Sequence, residues 1–167
     1  MSSGRRIVEI PVEKKIERIL KSKKLTVTTA ESCTGGLIAG TLVNAPGISE
    51  VYKEGYITYS NEAKIKLLGV KEETLRQYGA VSRQTAIEMA EGAARAAGAD
   101  AAIAVTGIAG PDGGTEEKPV GLVYIGCSVE GKTIVKRCFY GGDRLAIRQA
   151  AAREALDILY CQILSDE

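Results

Sequence analysis

Histidine is absent from the 167 residues of this chain, and that absence excludes more chemistry than any other feature of its composition. Ser-His-Asp and Cys-His nucleophilic arrangements cannot be assembled, and the commonest zinc ligand is missing. A covalent hydrolase built from this sequence must take its base from lysine, tyrosine or a carboxylate. Long apolar runs are also lacking. None approaches the roughly 18 residues of a membrane span, and Met1-Ser2-Ser3-Gly4-Arg5-Arg6 has no apolar core of a secretion signal, so the expected location is the cytoplasm with no membrane partner. An excess of either charge is missing too. Lys and Arg number 22 against 21 Asp and Glu, which provides no global field to draw in nucleic acid and fits a small, singly charged ligand in a local pocket better than a polyanion. The four cysteines, Cys33, Cys127, Cys138 and Cys161, form no C-x-x-C pair and lie mostly in apolar segments. They are expected as buried, reduced thiols rather than as a disulfide frame or a metal site.

What is present is enough apolar material for one core. With 45% hydrophobic residues, residues 1–167 are expected to form a single domain. Apolar positions Val12, Ile16, Ile19 and Leu20 recur at helical spacing between about Ile7 and Lys23, predicting a surface helix with Pro11 near its first turn. The β-branched run Leu25-Thr26-Val27-Thr28-Thr29 predicts a strand, and Leu37 to about Asn44 a helix stopped by Ala45-Pro46-Gly47. Tyr52 to Tyr59 alternates as an edge strand would. Ser60 then caps a helix from Asn61 toward Leu68, Glu72 to Tyr78 forms a short helix, and Ser82 caps an alanine-rich helix to Ala97 that packs closely on a sheet. Asp100 to Thr106 reads as a central strand covered on both faces. The Gly- and Pro-rich stretch from Gly107 to Gly121 is a loop. Leu122 to Val129 and Thr133 to Tyr140 form a hairpin, and Asp143 caps a last helix over Arg144 to Leu164, with Ile147, Ala151, Ala155, Ile158 and Leu159 facing inward. Together these predict an α/β fold, a three-layer α/β/α sandwich on a mixed, mostly parallel sheet of about five strands. Ligands of such sheets bind beyond the carboxyl ends of the strands, which singles out the turns at Ser32 and at Thr106-Gly107.

The Ser32 turn, Glu31-Ser32-Cys33-Thr34-Gly35-Gly36, places a hydroxyl where a strand hands over to a helix and unpaired amides favour an anion. Spacing alone leaves Ser32 equally explicable as a helix cap. Cys33 is a rival nucleophile expected to fill core instead, and Glu31 is expected to pair with a cation and fix the turn rather than to act as an acid. The Gly107 to Gly121 loop lacks the G-K-[ST] ending of a P-loop. It is expected to wall a nucleotide site with Thr106, Gly107 and Ala109, and the alternative is a rigid connection. Arg144 could receive a substrate phosphate or bridge to Asp112 or Glu117.

Four motifs, Thr28-Thr29-Ala30-Glu31-Ser32-Cys33-Thr34-Gly35-Gly36, Gly55-Tyr56-Ile57-Thr58-Tyr59-Ser60-Asn61-Glu62-Ala63-Lys64, Gly79-Ala80-Val81-Ser82 and Thr106-Gly107-Ile108-Ala109-Gly110-Pro111-Asp112-Gly113-Gly114 with Lys118-Pro119-Val120-Gly121, closely resemble the stand-alone CinA carboxy-terminal domain family, in the same order and over nearly the whole chain. That family includes the nicotinamide-nucleotide amidase of pyridine nucleotide salvage, which converts nicotinamide mononucleotide to nicotinic acid mononucleotide and ammonia. Its larger members carry an additional amino-terminal domain. The resemblance implies a homo-oligomer, dimer or higher, and a Ser-Tyr-Lys arrangement in which Ser32 is the nucleophile and Tyr59 and Lys64 activate it, with no cofactor and no metal. The residues permit that chemistry. A lysine base at neutral pH needs its pKa lowered by about 3 units through desolvation or a neighbouring cation, and the amides near Thr34, Gly35 and Gly36 are expected to hold the tetrahedral oxyanion. Two other functions remain open: a metal-dependent phosphohydrolase using Asp112, Glu116 and Glu117, and a non-catalytic nucleotide-binding or interaction module.

Overall fold

The computed structural model describes residues 9–165. The predicted helix start near Ile7 lies outside them. Helix α1 (Val12–Lys23) follows Pro11, whose extended backbone keeps it just outside the first turn, and buries Ile16 and Leu20. β1 (Val27–Glu31) leads through the Ser32 turn to α2 (Leu37–Leu42), then a single 3-10 turn at Ile48–Glu50 that the sequence pattern did not predict, and β2 (Tyr56–Ile57). Next come α3 (Asn61–Leu68), α4 (Glu72–Tyr78), α5 (Arg83–Ala97), β3 (Ala101–Gly107), β4 (Leu122–Val129), β5 (Lys132–Phe139) and α6 (Arg144–Leu164).

The sheet order is β2-β1-β3-β4-β5. β1 is parallel to both its neighbours, and β4 runs antiparallel to β3 and β5, so four strands share one direction and β4 opposes them. This is the expected mixed, mostly parallel sheet. α1, α2 and α6 cover one face over a core that includes Ile16, Ile38, Ile103, Ile125, Ile147 and Leu159, and α3 to α5 cover the other over Leu68, Met89, Ala90 and Ala102. α5 earns its alanines: a side chain at Gly126 of β4 would run into the Ala86 carbonyl, so helix and sheet meet almost backbone to backbone.

The expected strand over Tyr52 to Tyr59 shrinks to two residues plus one isolated bridge from Tyr52 to Val27. β1 explains the loss, because its threonines compete with the ladder. Thr28 donates its hydroxyl to the Glu54 carbonyl at 2.8 Å, and Thr29 shares a hydrogen bond with the Tyr52 hydroxyl at 2.9 Å. Gly55 is pressed against both Tyr52 and Thr29, leaving no room for a side chain there.

Because the chain passes from β1 to β2 on one side and later to β3 on the other, the carboxyl ends of β1 and β3 flank the point where the strand order reverses. That crevice is where ligands of such sheets bind.

Candidate active site

The Ser32 turn is built from inside by the residue before it. Glu31, fully buried at the end of β1, turns its carboxylate onto the start of α2: one oxygen accepts from the amides of Gly36 at 3.2 Å and Ile38 at 2.9 Å, the other from Ala39 at 3.0 Å. These are amides that a helix N-terminus leaves unpaired, and the negative charge also answers the helix dipole. Glu31 thus fixes the turn as expected, but through amides and not through a cation. Gly35 and Gly36 both adopt positive φ (58° and 106°), which bends the chain back onto that carboxylate and is strained for any other residue type. From the far side Arg148 of α6 donates to the carbonyls of Cys33 at 2.9 Å and Thr34 at 3.0 Å. Ser32 itself donates its amide to Val105 at 3.0 Å and accepts from Gly35 at 3.1 Å on its carbonyl. With the helix start already capped, the Ser32 hydroxyl is not needed as a cap.

Its partner is Lys64. The side chain of Lys64 enters from the first half of α3 and is 1% exposed, among the largest fully buried side chains of the protein. Its Nζ lies 3.0 Å from Ser32 Oγ, 2.7 Å from the Thr58 carbonyl and 3.4 Å from the Tyr59 carbonyl. Its hydrogen-bond acceptors are all neutral. Burial therefore dominates and pushes the amine down from 10.5 to about 8, with Cys33 pulling weakly the other way. The Cys33 thiol, packed in the core at the edge of the same cleft, is pushed up to about 11, chiefly by burial.

The predicted residues divide into two groups. Ser32, Tyr59, Lys64, Thr106, Gly107, Ala109 and Arg144 line one cleft of about 270 Å³, together with Cys33, Ala80, Val81 and Asp112. Thr106 faces it while donating its hydroxyl to the Ala80 carbonyl at 2.7 Å, which ties the α4–α5 connection to the end of β3. Thr34, Gly35 and Gly36 stand off the cleft wall. The amides of Gly35 and Gly36 are occupied, by Ser32 and Glu31 respectively, so those two are unavailable to an oxyanion. Thr34 is fully buried, and its hydroxyl has no partner among the described residues. Tyr59 is 61% exposed, and its hydroxyl accepts from Arg144 at 2.8 Å; what reaches Lys64 is its main-chain carbonyl. Arg144 also donates to the Gly110 carbonyl at 2.6 Å, spanning the mouth of the cleft instead of pairing with Asp112 or Glu117. Arg148 was missed by sequence reasoning. The signal was there, since it follows Arg144 by four residues and so shares its face of α6.

Among the described residues no group of three or more Asp, Glu or Cys is arranged to hold a metal, and Glu116 and Glu117 stand outside the cleft that Asp112 lines. The metal-dependent phosphohydrolase thereby loses its ligand set. The thiols of Cys33, Cys127 and Cys138 are buried and free, as expected, whereas Cys161 is free but exposed. No helix among the described residues is long and apolar enough to cross a membrane.

A family model described as the CinA C-terminal domain matches residues 9–163. A CinA-like protein of Kosmotoga olearia is 58% identical over 151 residues, which is 90% of this chain and 37% of that protein; the chain therefore spans little more than a third of that curated relative. Among solved structures, the competence damage-inducible protein A (ComA) of Klebsiella pneumoniae superposes with a TM-score of 0.90 at 38% identity, over 93% of this chain and 97% of that one. The competence/damage inducible protein CihA of Agrobacterium tumefaciens gives 0.86 at 46% identity, over 95% of this chain and all (100%) of that one. By sequence and by fold, the chain belongs to the CinA C-terminal domain family.

Proposed function

We propose that this protein is an amidohydrolase that uses Ser32 as nucleophile and Lys64 as base to convert nicotinamide mononucleotide to nicotinic acid mononucleotide and ammonia. The observation that carries the reading is the buried 3.0 Å contact between Lys64 Nζ and Ser32 Oγ. A neutral lysine has two N–H bonds and one lone pair. With the carbonyls of Thr58 and Tyr59 accepting the two N–H bonds, the lone pair is left facing the Ser32 hydroxyl. At pH 7 an amine titrating at about 8 is already about one-tenth neutral.

In this scheme Lys64 takes the Ser32 proton as Oγ adds to the carboxamide carbon. The carbonyl π pair moves onto oxygen, and the tetrahedral intermediate then expels nitrogen, which leaves as ammonia with the proton Lys64 held. A water, deprotonated by the same amine, attacks the acyl carbon; the bond from that carbon to Ser32 Oγ then breaks, Lys64 returns the proton to Oγ, and nicotinic acid mononucleotide leaves. Tyr59 does not relay this proton: its hydroxyl orients Arg144, which we assign to the substrate phosphate at the cleft mouth. Thr106, Gly107 and Ala109 wall the nucleotide.

Ammonia release from nicotinamide mononucleotide tests the reading. Turnover by the native protein that disappears in Ser32→Ala and persists in EDTA supports it. Binding of the nucleotide with no ammonia from the native protein would make this a binding module.

A further inference from the structure

The site has a nucleophile and a base, but the Gly35 and Gly36 amides expected to receive the developing charge are already bonded. Glu31 moreover places a carboxylate on the first amides of α2, so an anion at that helix end would meet a negative charge. The register of the sheet identifies where unpaired amides remain. β3 bonds to β4 along its even-numbered positions: Glu130 N donates to the Asp100 carbonyl at 2.8 Å and Ile108 N to Leu122 at 2.9 Å. Antiparallel alternation then makes Gly107↔Val123 a non-hydrogen-bonded pair. The odd positions face β1, with Ala101 N donating to Thr26 at 2.9 Å and the Val105 carbonyl accepting from Ser32 N at 3.0 Å. The next donor on this edge is the Gly107 amide, whose partner by register is the Ser32 carbonyl. That carbonyl has turned away to accept from Gly35 at 3.1 Å. Gly107 N–H is left with no partner among the described residues, one strand over from Ser32.

On the other side of Ser32, the Cys33 amide also has no acceptor on another of the described residues, and Cys33 and Gly107 both line the cleft. The Thr34 amide is likewise unpaired among them, but Thr34 stands off the wall. We propose that the Cys33 and Gly107 amides form the oxyanion hole, with Glu31 and Arg148 as positioning residues that hold the Cys33 end of it. The inference rests on Ser32 being the nucleophile. One donor following the nucleophile and one from a separate strand can converge on a single oxygen from two directions, which is how preorganised donors act without reorganising during reaction.

The direct test replaces one N–H by oxygen. Glycolic acid incorporated at position 107 by nonsense suppression converts that amide to an ester; kcat for nicotinamide mononucleotide is expected to fall about 100-fold with KM within about threefold. An unchanged kcat overturns the assignment of Gly107. Should the ester not fold, amide-resolved NMR of the native protein with pyridine-3-boronic acid reads both donors. Boron bonds to Ser32 Oγ as the proton passes to Lys64, leaving a tetrahedral anion. The Cys33 and Gly107 amide protons are expected to move downfield, and adduct formation with both unmoved overturns the hole. For the positioning residues, Glu31→Gln keeps part of the acceptor set and Arg148→Lys keeps one donor. Each is expected to lower kcat about tenfold and boronate affinity in parallel, with KM retained. Loss of thermal stability without that parallel loss reduces Glu31 and Arg148 to structural roles and overturns this part of the proposal. Turnover by Ser32→Ala, by contrast, overturns the reading of the site itself.

Discussion

At the junction of β2 with α3, Ser60 uses its hydroxyl as a cap, accepting from the Ala63 amide at 3.0 Å. At the junction of β1 with α2, Ser32 directly follows the strand, ahead of the Gly36 N-cap, and caps nothing: Glu31 takes the helix amides, and the Ser32 hydroxyl faces Lys64 at 3.0 Å. Ser82 and Asp143 behave as Ser60 does, accepting from Thr85 and Ala146. The difference shows what leaves a serine at a strand-to-helix junction free of capping. Another acceptor must satisfy the helix, and a neighbour must supply a donor or base where the hydroxyl then points.

The comparison is broken most directly at Ser32. Ser32→Ala is expected to lower turnover of nicotinamide mononucleotide by at least about 1000-fold, measured as ammonia release, with the fold retained. Lys64→Met should come close, a loss of about 100- to 10,000-fold in kcat. It also separates burial from charge. In the folded protein the amine titrates at about 8 against 10.5 for an unperturbed lysine, so between those pH values the unfolded chain binds the extra proton. Native stability must then rise with pH through that window, by about 3 kcal/mol in total for this one group, the penalty of the buried charge being fully present below it. Urea midpoints measured from pH 7 to 10 should climb more in the native protein than in Lys64→Met. The same titration predicts that kcat/KM rises with pH and levels above about 8. A profile flat from pH 6 to 9 would be inconsistent with a lysine base.

Arg144 sharpens the comparison at the other end of the cleft. Its two hydrogen bonds, to Gly110 and Tyr59, hold a guanidinium across the mouth without an ion pair among the described residues. Arg144→Ala is expected to raise KM for nicotinamide mononucleotide about 10- to 100-fold and to change kcat less, since a charged hydrogen bond contributes about 1.5–3 kcal/mol. The phosphate-free nucleoside should be indifferent to the substitution. If both substrates suffer equally, the arginine shapes the cleft and does not read the phosphate.

Much of this was legible in the sequence because the signals were local. Helical spacing, capping residues and the unalternated run from Asp100 to Thr106 specify elements within one turn or one strand, and the alternation of strands with helices specifies the layers. The edge strand failed because its fate was decided across the sheet, by threonines of β1 that bond to its carbonyl and phenol. The site shows the same division. Ser32 and Arg144 could be named from residue type and position and Lys64 from the family resemblance, and the structure brings all three to one cleft. The use of each polar group could not, because it depends on competition. Tyr59 was expected through its hydroxyl and reaches Lys64 through its carbonyl, while the Gly35 and Gly36 amides are claimed by acceptors only the folded turn reveals.

The smallest effect is the control for all the others. Ser60→Ala removes one cap from the helix that carries Lys64 and should cost about 1 kcal/mol. In a chain of this size that is a fall in melting temperature of about 2–4 °C. Lys64 is held at its far end by Thr58, Tyr59 and Ser32 and not by the cap, so kcat should stay within about twofold of the native value. A loss of kcat as deep as that of Ser32→Ala would mean that the cap, and not the buried contact, governs where the amine points, and the two serines would then differ in degree and not in kind.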